Sequence, residues 1–399
     1  MICRILGVAV LCAAATSASA QSLPAEPVTF GDGRVVLGGE VTAAVAPQDT
    51  GFFNYSDYEH STLREFRAGV SLMIRATDRV AVLGEIRSEN LGTPEAYALY
   101  ARIRPFQRHR LDVQIGRIPP TFGSFSRQLY ARDNPLIGYP LAYQYLTSLR
   151  ADALPASVDE LLRMRGRGWL TTYSIGNTTP ARGVPLAAAL TWDTGVQVTT
   201  GWKALEITTA VTNGSQSHPV VIDDNDGKQV AARLTARVSP TLTLGTSFAD
   251  GAFVGRRALA ALGRVDTGAY SQRALGLDAN YQAGHLVLRG ELIGTAWHLP
   301  VAEARDALDL RAGALSVEAK YAVRPGFYAA ARAERVTFNR VTGTQRTIAW
   351  DAPVNRLEVG GGYYIQRNLI ARMSVQFNDR HAGRVTSSTL AAAQLLFWF

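Results

Sequence analysis

Cysteine is almost absent from these 399 residues, and both copies, Cys3 and Cys12, fall at the very start. Beyond them the chain can form neither a disulfide nor a thiolate metal site. The six histidines (His60, His109, His218, His285, His298, His381) show no metal-ligand spacing. Lysine is scarce too, with only Lys203, Lys228 and Lys320, so arginine carries the excess of 41 basic over 33 acidic residues. Also missing is any apolar run of the roughly 20 residues that a membrane-spanning helix needs. What is plentiful is short-range alternation of apolar and polar residues.

The first twenty residues are expected to serve export. Arg4 gives a positive start, Ile5 to Ala15 a short apolar stretch, and Ala18-Ser19-Ala20 the small residues of a cleavage site. Leu11 is too bulky before Cys12 for a lipoprotein signal. Removal of 1–20 takes Arg4 away and lowers the formal charge from +8 to +7. An exported basic chain meets anionic solutes and anionic lipid rather than nucleic acid. A short segment, 21–34, then leads into the body of the protein, 35–399.

From Val35 onward, segment after segment alternates with period two. In one, Leu369, Ala371, Met373, Val375 and Phe377 share a parity against Arg372, Ser374, Gln376 and Asn378. In its neighbour, Leu357, Val359, Gly361, Tyr363 and Ile365 oppose Arg356, Glu358 and Tyr364. Leu315, Val317, Ala319 and Tyr321 oppose Ser316, Glu318 and Lys320 in the same way. A soluble sandwich alternates as well, but here the polar parity is dense in charge and the apolar parity nearly free of it.

Connections alternate between short turns (76–78, 105–109, 200–201, 239–240, 283–284, 324–325, 367–368) and longer loops. The spacing predicts sixteen strands, at 35–45, 63–75, 79–89, 96–104, 110–118, 187–199, 202–213, 228–238, 240–250, 272–282, 285–297, 312–323, 326–338, 355–366, 369–379 and 388–399. Fourteen and eighteen are the neighbouring counts. Strands of this length cross a bilayer at a tilt, and in lipid only a closed barrel pairs every backbone group. The fold class is therefore an all-β transmembrane antiparallel barrel, apolar parity toward lipid and charged parity toward the lumen. Tyr281, Tyr321 and Tyr363, each on the apolar parity before a short turn, read as an interfacial girdle.

The last strand, Thr389 to Phe399, carries Ala391, Ala393, Leu395 and Phe397 on the parity of the terminal Phe399. It resembles the C-terminal signature of Gram-negative outer-membrane proteins, and the layout is similar to sixteen-stranded general and phosphate-selective porins. The resemblance implies an outer-membrane location and recognition of Phe399 and Phe397 by the barrel-assembly machinery. It also implies contact with lipid and lipopolysaccharide and passive diffusion of small hydrophilic solutes. No enzyme activity, metal or cofactor is implied, and monomer and homotrimer both stay open. A plugged structural or surface-binding barrel is the alternative.

One connection breaks the rhythm. Residues 119–186 are too long for an ordinary loop, begin with Pro119-Pro120, and carry Phe122, Phe125, Tyr130, Tyr139, Tyr143 and Tyr145. In porins the third loop folds into the barrel, so the resemblance implies a constriction here. Ser157-Val158-Asp159-Glu160 reads as a capping box opening a short helix, and 168–176 could add a strand. Seven arginines face four acids in this segment, a net +3. Arg127, Arg132, Arg150, Arg163, Arg165 and Arg167 are accordingly the candidate solute contacts, with a mild anion preference expected. Arg102, Arg104, Arg233, Arg237, Arg289, Arg332, Arg356 and Arg372 fall on the lumen parity, where acids such as Glu291, Glu318, Glu334 and Glu358 nearly balance them.

Two chemical motifs fail on inspection. Asp223-Asp224-Asn225-Asp226-Gly227 resembles a calcium loop but has Leu234 where the twelfth-position carboxylate should stand. Ser215 and His218 lie near each other in sequence but lack a third partner and an oxyanion scaffold.

Overall fold

A computed structural model describes residues 26–56, 60–106, 110–125 and 130–399. The proposed leader, 1–20, lies outside them, as do Arg127 and His109. Sixteen strands form one sheet: β1 Val35–Val45, β2 Phe66–Arg75, β3 Val80–Glu89, β4 Glu95–Ile103, β5 Arg110–Ile118, β6 Asp193–Trp202, β7 Leu205–Thr212 and β8 Gln229–Arg237 make the first half. β9 Leu242–Ala252, β10 Ser271–Ala283, β11 Leu286–Leu299, β12 Leu308–Arg324, β13 Phe327–Phe338, β14 Val354–Gln366, β15 Leu369–Arg380 and β16 Ser387–Trp398 complete it. Each pairs antiparallel with the next, and β1 pairs with both β2 and β16, from Glu40↔Trp398 to Val45↔Ala393. The sheet closes, so no edge is left to template aggregation. A further three residues, Val28–Phe30, lie along the start of β1.

Side chains sort by parity in the sense opposite to a soluble protein. On β15, Met373 is 71% exposed and Phe377 49%, whereas Gln376 is 0% and Arg372 3%. The apolar parity faces outward and the polar one inward, as a barrel in lipid requires. Tyr281, Tyr321 and Tyr363 are exposed on the outer face next to short turns.

One strand sits elsewhere than the alternation suggests. Residues 187–192 were expected to begin the sixth strand, but Ala187 and Ala189 are fully buried in the core of the long segment and β6 starts at Asp193. Alternation in a run of small apolar residues fits buried coil as well as strand. The following turn accordingly moves from 200–201 to Lys203-Ala204, with Lys203 in the left-handed region. β12 is longer than its pattern, because Leu308 to Arg311 continue the ladder against Ala296 to Leu299 of β11.

The capping box forms as expected: Ser157 opens the helix Val158–Arg163, its Oγ accepting from Glu160 N at 3.2 Å. Glu160 reaches back to Ala156 N, one residue before the position the motif implies. The proposed strand at 168–176 shrinks to a two-residue ladder, Ala153–Leu154 with Ile175–Gly176.

Candidate functional site

The inner wall is built from alternate residues of strands whose other face is apolar, so each charged side chain points to the same enclosed space. Desolvating a charge there is costly unless it is paired and hydrogen-bonded. Two kinds of partner meet that demand. Some charges pair within the wall: Arg233 Nη1 and Nη2 take both oxygens of Asp278 at 2.7 and 2.9 Å, and Arg289 reaches Glu318 at 3.0 Å. Arg237, near the short-turn end of β8, is exposed.

The other partner is the long segment between β5 and β6. Glu40 accepts from Ala131 N at 3.1 Å, Glu334 from Leu141 N at 2.7 Å and Glu358 from Gly138 N at 3.0 Å. Glu291 accepts from Ser124 N at 2.7 Å and from the Tyr143 hydroxyl at 2.8 Å. Wall arginines bond its carbonyls: Arg332 that of Gly138 (2.6 Å), Arg356 that of Tyr139 (3.2 Å) and Arg372 that of Ala131 (2.6 Å). Arg332 also contacts Glu318, Glu334 and Glu358. These wall groups therefore satisfy the backbone of a segment that has no regular ladder of its own. Burial and the adjoining Glu85 carboxylate hold the Tyr130 hydroxyl far above the usual phenol range, so it stays a donor to Glu85 at 2.7 Å. Burial and Glu291 do the same for Tyr143.

The six arginines expected to contact solute separate widely. Arg132 lines a cavity of about 250 Å³ with Glu40, Arg67 and Arg87. Arg150 cannot meet a solute: its side chain is fully buried, bidentate on Asp152 and donating to the carbonyls of Thr171 and Thr179. It pins the segment to itself. Arg163 ends the short helix, exposed beside Glu160. Arg165 and Arg167 flank Gly166, whose N–H bonds Asp351 and where an added Cβ would run into the Ala382 carbonyl. Those three thus stand among the long connections 339–353 and 381–386, not against the inner wall. Alternation carries no signal for this, because the segment has none. Arg127 is outside the described residues.

Open space lies to one side. A cavity of about 740 Å³ is lined by Arg102, Arg104, Arg110, Asp112 and Glu206, with Tyr130 and Pro119 to Thr121 from the long segment. Arg102 Nε and Arg104 Nε share one oxygen of Asp112, at 2.6 and 2.8 Å. Arg110 is not among the arginines expected on the lumen wall, although it opens β5 and shares Asp112's parity. Thr199 and Thr208 bond each other across the same wall at 3.1 Å.

The rejected motifs look structural here too. Asp223 Oδ1 accepts from Asn225 N and Asp226 N, and Lys228 caps its other oxygen. Ser215 and His218 bond each other through backbone atoms, both ways at 3.0 Å. Among the described residues no three His, Cys, Asp or Glu side chains gather as a metal site.

No protein-family model matches the sequence, and no curated protein is similar to it. Solved structures are similar in fold. OmpF of Salmonella typhi, solved with daunomycin, superposes with a TM-score of 0.59 at 11% identity, over 94% of this chain and 100% of that one. OmpT of Vibrio cholerae gives 0.55 at 10% identity over 94% and 100%. The anion-selective porin of Comamonas acidovorans gives 0.54 at 11% over 92% and 99%. In fold, this chain is a closed sixteen-stranded antiparallel barrel similar to those solved structures.

Proposed function

We propose that this chain is a porin-like channel of the outer membrane, through which small hydrophilic solutes diffuse with a mild preference for anions. The observation that carries the reading is a closed barrel, apolar outside and charged inside, with an open cavity of about 740 Å³ along one wall. Export by a cleaved leader at 1–20 and insertion by the barrel-assembly machinery through Phe399 belong to the same reading. So does contact of the outer face with lipid and lipopolysaccharide. The organisation is then leader, short segment 21–34 and barrel 35–399, with the 119–186 connection folded into the lumen. The excess of arginine supports an anion preference, and one fold neighbour is described as anion-selective. A homotrimer is proposed on the weaker ground that a trimer form is described for the Vibrio barrel. The hydroxyl, amide and guanidinium groups of the lumen have the lining of a passage rather than a reaction centre, and we assign no catalytic role.

A second reading has its own support. The bonds from Glu291, Glu334, Glu358, Arg332, Arg356 and Arg372 to the long segment occupy the β11–β15 side, as a plug would. Planar-bilayer recording of the refolded protein decides between them. Stepwise conductance is expected from a channel, and a silent, correctly folded barrel would favour the plug.

A further inference from the structure

Two cavities line the wall of β5 to β8, and a third adjoins them among the long connections. The widest, about 740 Å³, includes Pro119, Pro120 and Thr121 in its lining. The same three residues line a cavity of only about 30 Å³. That small cavity in turn shares Ala188, Thr191 and Pro219 with a third, of about 300 Å³. The third is bounded by residues of the long connections, such as Arg182 and His218, while the widest reaches Arg104 and Gly201 beside the short turns. The shared lining places the smallest cavity between two larger spaces. At about 30 Å³ it is far smaller than either neighbour.

This smallest space, the neck, carries almost no usable charge. Its wall is Ala210 and Thr212 of β7 with Gln229 and Ala231 of β8, facing Pro119, Pro120 and Thr121. Gln229 donates to Thr212 at 3.1 Å. The one ionisable neighbour is Asp193, which is 7% exposed and accepts from the N–H groups of Thr194, Gly214 and Val220. A carboxylate so engaged offers little to a passing ion. Below the neck the balance differs. Arg102, Arg104 and Arg110 outnumber Asp112 and Glu206, and Arg102 and Arg104 divide a single carboxylate between them. Low-dielectric walls focus the field of such an unbalanced cluster on whatever enters.

We propose that this lateral route is the permeation path, and that size and charge are selected at different places along it. The neutral neck sets the size limit through Gln229, Thr212 and the Pro119–Thr121 edge. The arginine-rich vestibule below it sets the preference for oxyanions, whose carboxylate or phosphate oxygens match the guanidinium fork. The proposal rests on the channel reading above and adds where each property resides.

Bilayer recording of the full-length refolded protein in a potassium chloride gradient tests it, with heat-modifiable gel mobility certifying each variant's fold. Gln229→Ala is expected to raise conductance severalfold and Ala231→Phe to abolish most of it, both with an unchanged reversal potential. Arg102→Gln with Arg104→Gln is expected to move the reversal potential toward cations. Inorganic phosphate should block the parent channel at lower concentrations than it blocks the double variant. Folded neck variants that conduct like the parent overturn the neck, and a double variant with the parent's reversal potential overturns the vestibule. A folded parent that never conducts overturns the channel reading itself, and the route with it.

Discussion

Gly39 and Phe399 meet where the barrel closes. Each backbone bonds the other, Gly39 N to Phe399 O at 3.1 Å and Phe399 N to Gly39 O at 3.0 Å. A Cβ on Gly39 would fall on the Phe399 ring, so glycine here makes room for the terminal aromatic. Deleting Phe399 therefore removes both a ladder partner and the ring that covers β1. The expected outcome is loss of heat-modifiable mobility and accumulation of unfolded chain, and Gly39→Val should show a milder form of the same defect. Facing makes a second prediction. Val198 is on the outer parity of β6, and Thr199, its neighbour, lines the large cavity. Val198→Arg is expected to cost roughly 2–4 kcal/mol, as for a charge near the bilayer midplane, and Thr199→Arg far less, both read from urea unfolding in lipid vesicles. The polar parity is not uniformly tolerant. Gln376 is fully buried, and a Cβ on Gly138 of the long segment would run into its amide. Ser374 is buried as well. Arginine at either should destabilise too, although both lie on the polar parity that faces the lumen.

Among elements, the long segment depends most on others. Asp351, in the connection between β13 and β14, accepts from Ser148 N at 2.6 Å, Gly166 N at 2.8 Å and Ala352 N at 2.6 Å. Its carboxyl lies above the usual range because burial outweighs these bonds. Asp351→Ala would leave three buried N–H groups without an acceptor, each worth about 1–3 kcal/mol. Limited proteolysis should then cut within 146–170 in the variant while the barrel strands stay protected. Arg163, Arg165 and Arg167 border this joint. Changing all three to glutamine is expected to leave the reversal potential nearly unaltered, because they stand among the outer connections. The aromatic residues of the segment announced that it packs: Phe122, Phe125, Tyr139, Tyr143 and Tyr145 are all buried. Their partners could not be read from the sequence, since the wall contacts join residues far apart in the chain, and the contacts of Phe125 with Tyr139 and Tyr143 lie within a segment that has no periodicity.

The whole molecule inverts the usual arrangement, with apolar surface exposed all round and charge enclosed. Such a surface needs lipid or detergent, and the barrel should aggregate when detergent is diluted away while keeping its strand content in vesicles, as circular dichroism would show. At this scale strand number and closure are decided together, because every backbone group in the membrane must find a partner.

Sequence alone determined the barrel. Period-two alternation over strands of bilayer-crossing length, without a spanning helix or a crosslink, leaves few other ways to satisfy backbone hydrogen bonds in lipid, and most strand limits fall within a few residues of the pattern. It also sorted nearly all wall residues to the correct face, because parity is a local property. Tertiary structure decided which charges stay open to a solute. Arg332, Arg356 and Arg372 look the same in sequence as Arg102, Arg104 and Arg110, yet the first three are consumed by the backbone carbonyls and side chains that enclose them while the last three line open space. The difference lies in the path of an irregular segment, and an irregular backbone takes its conformation from the groups that satisfy it rather than from its own periodicity.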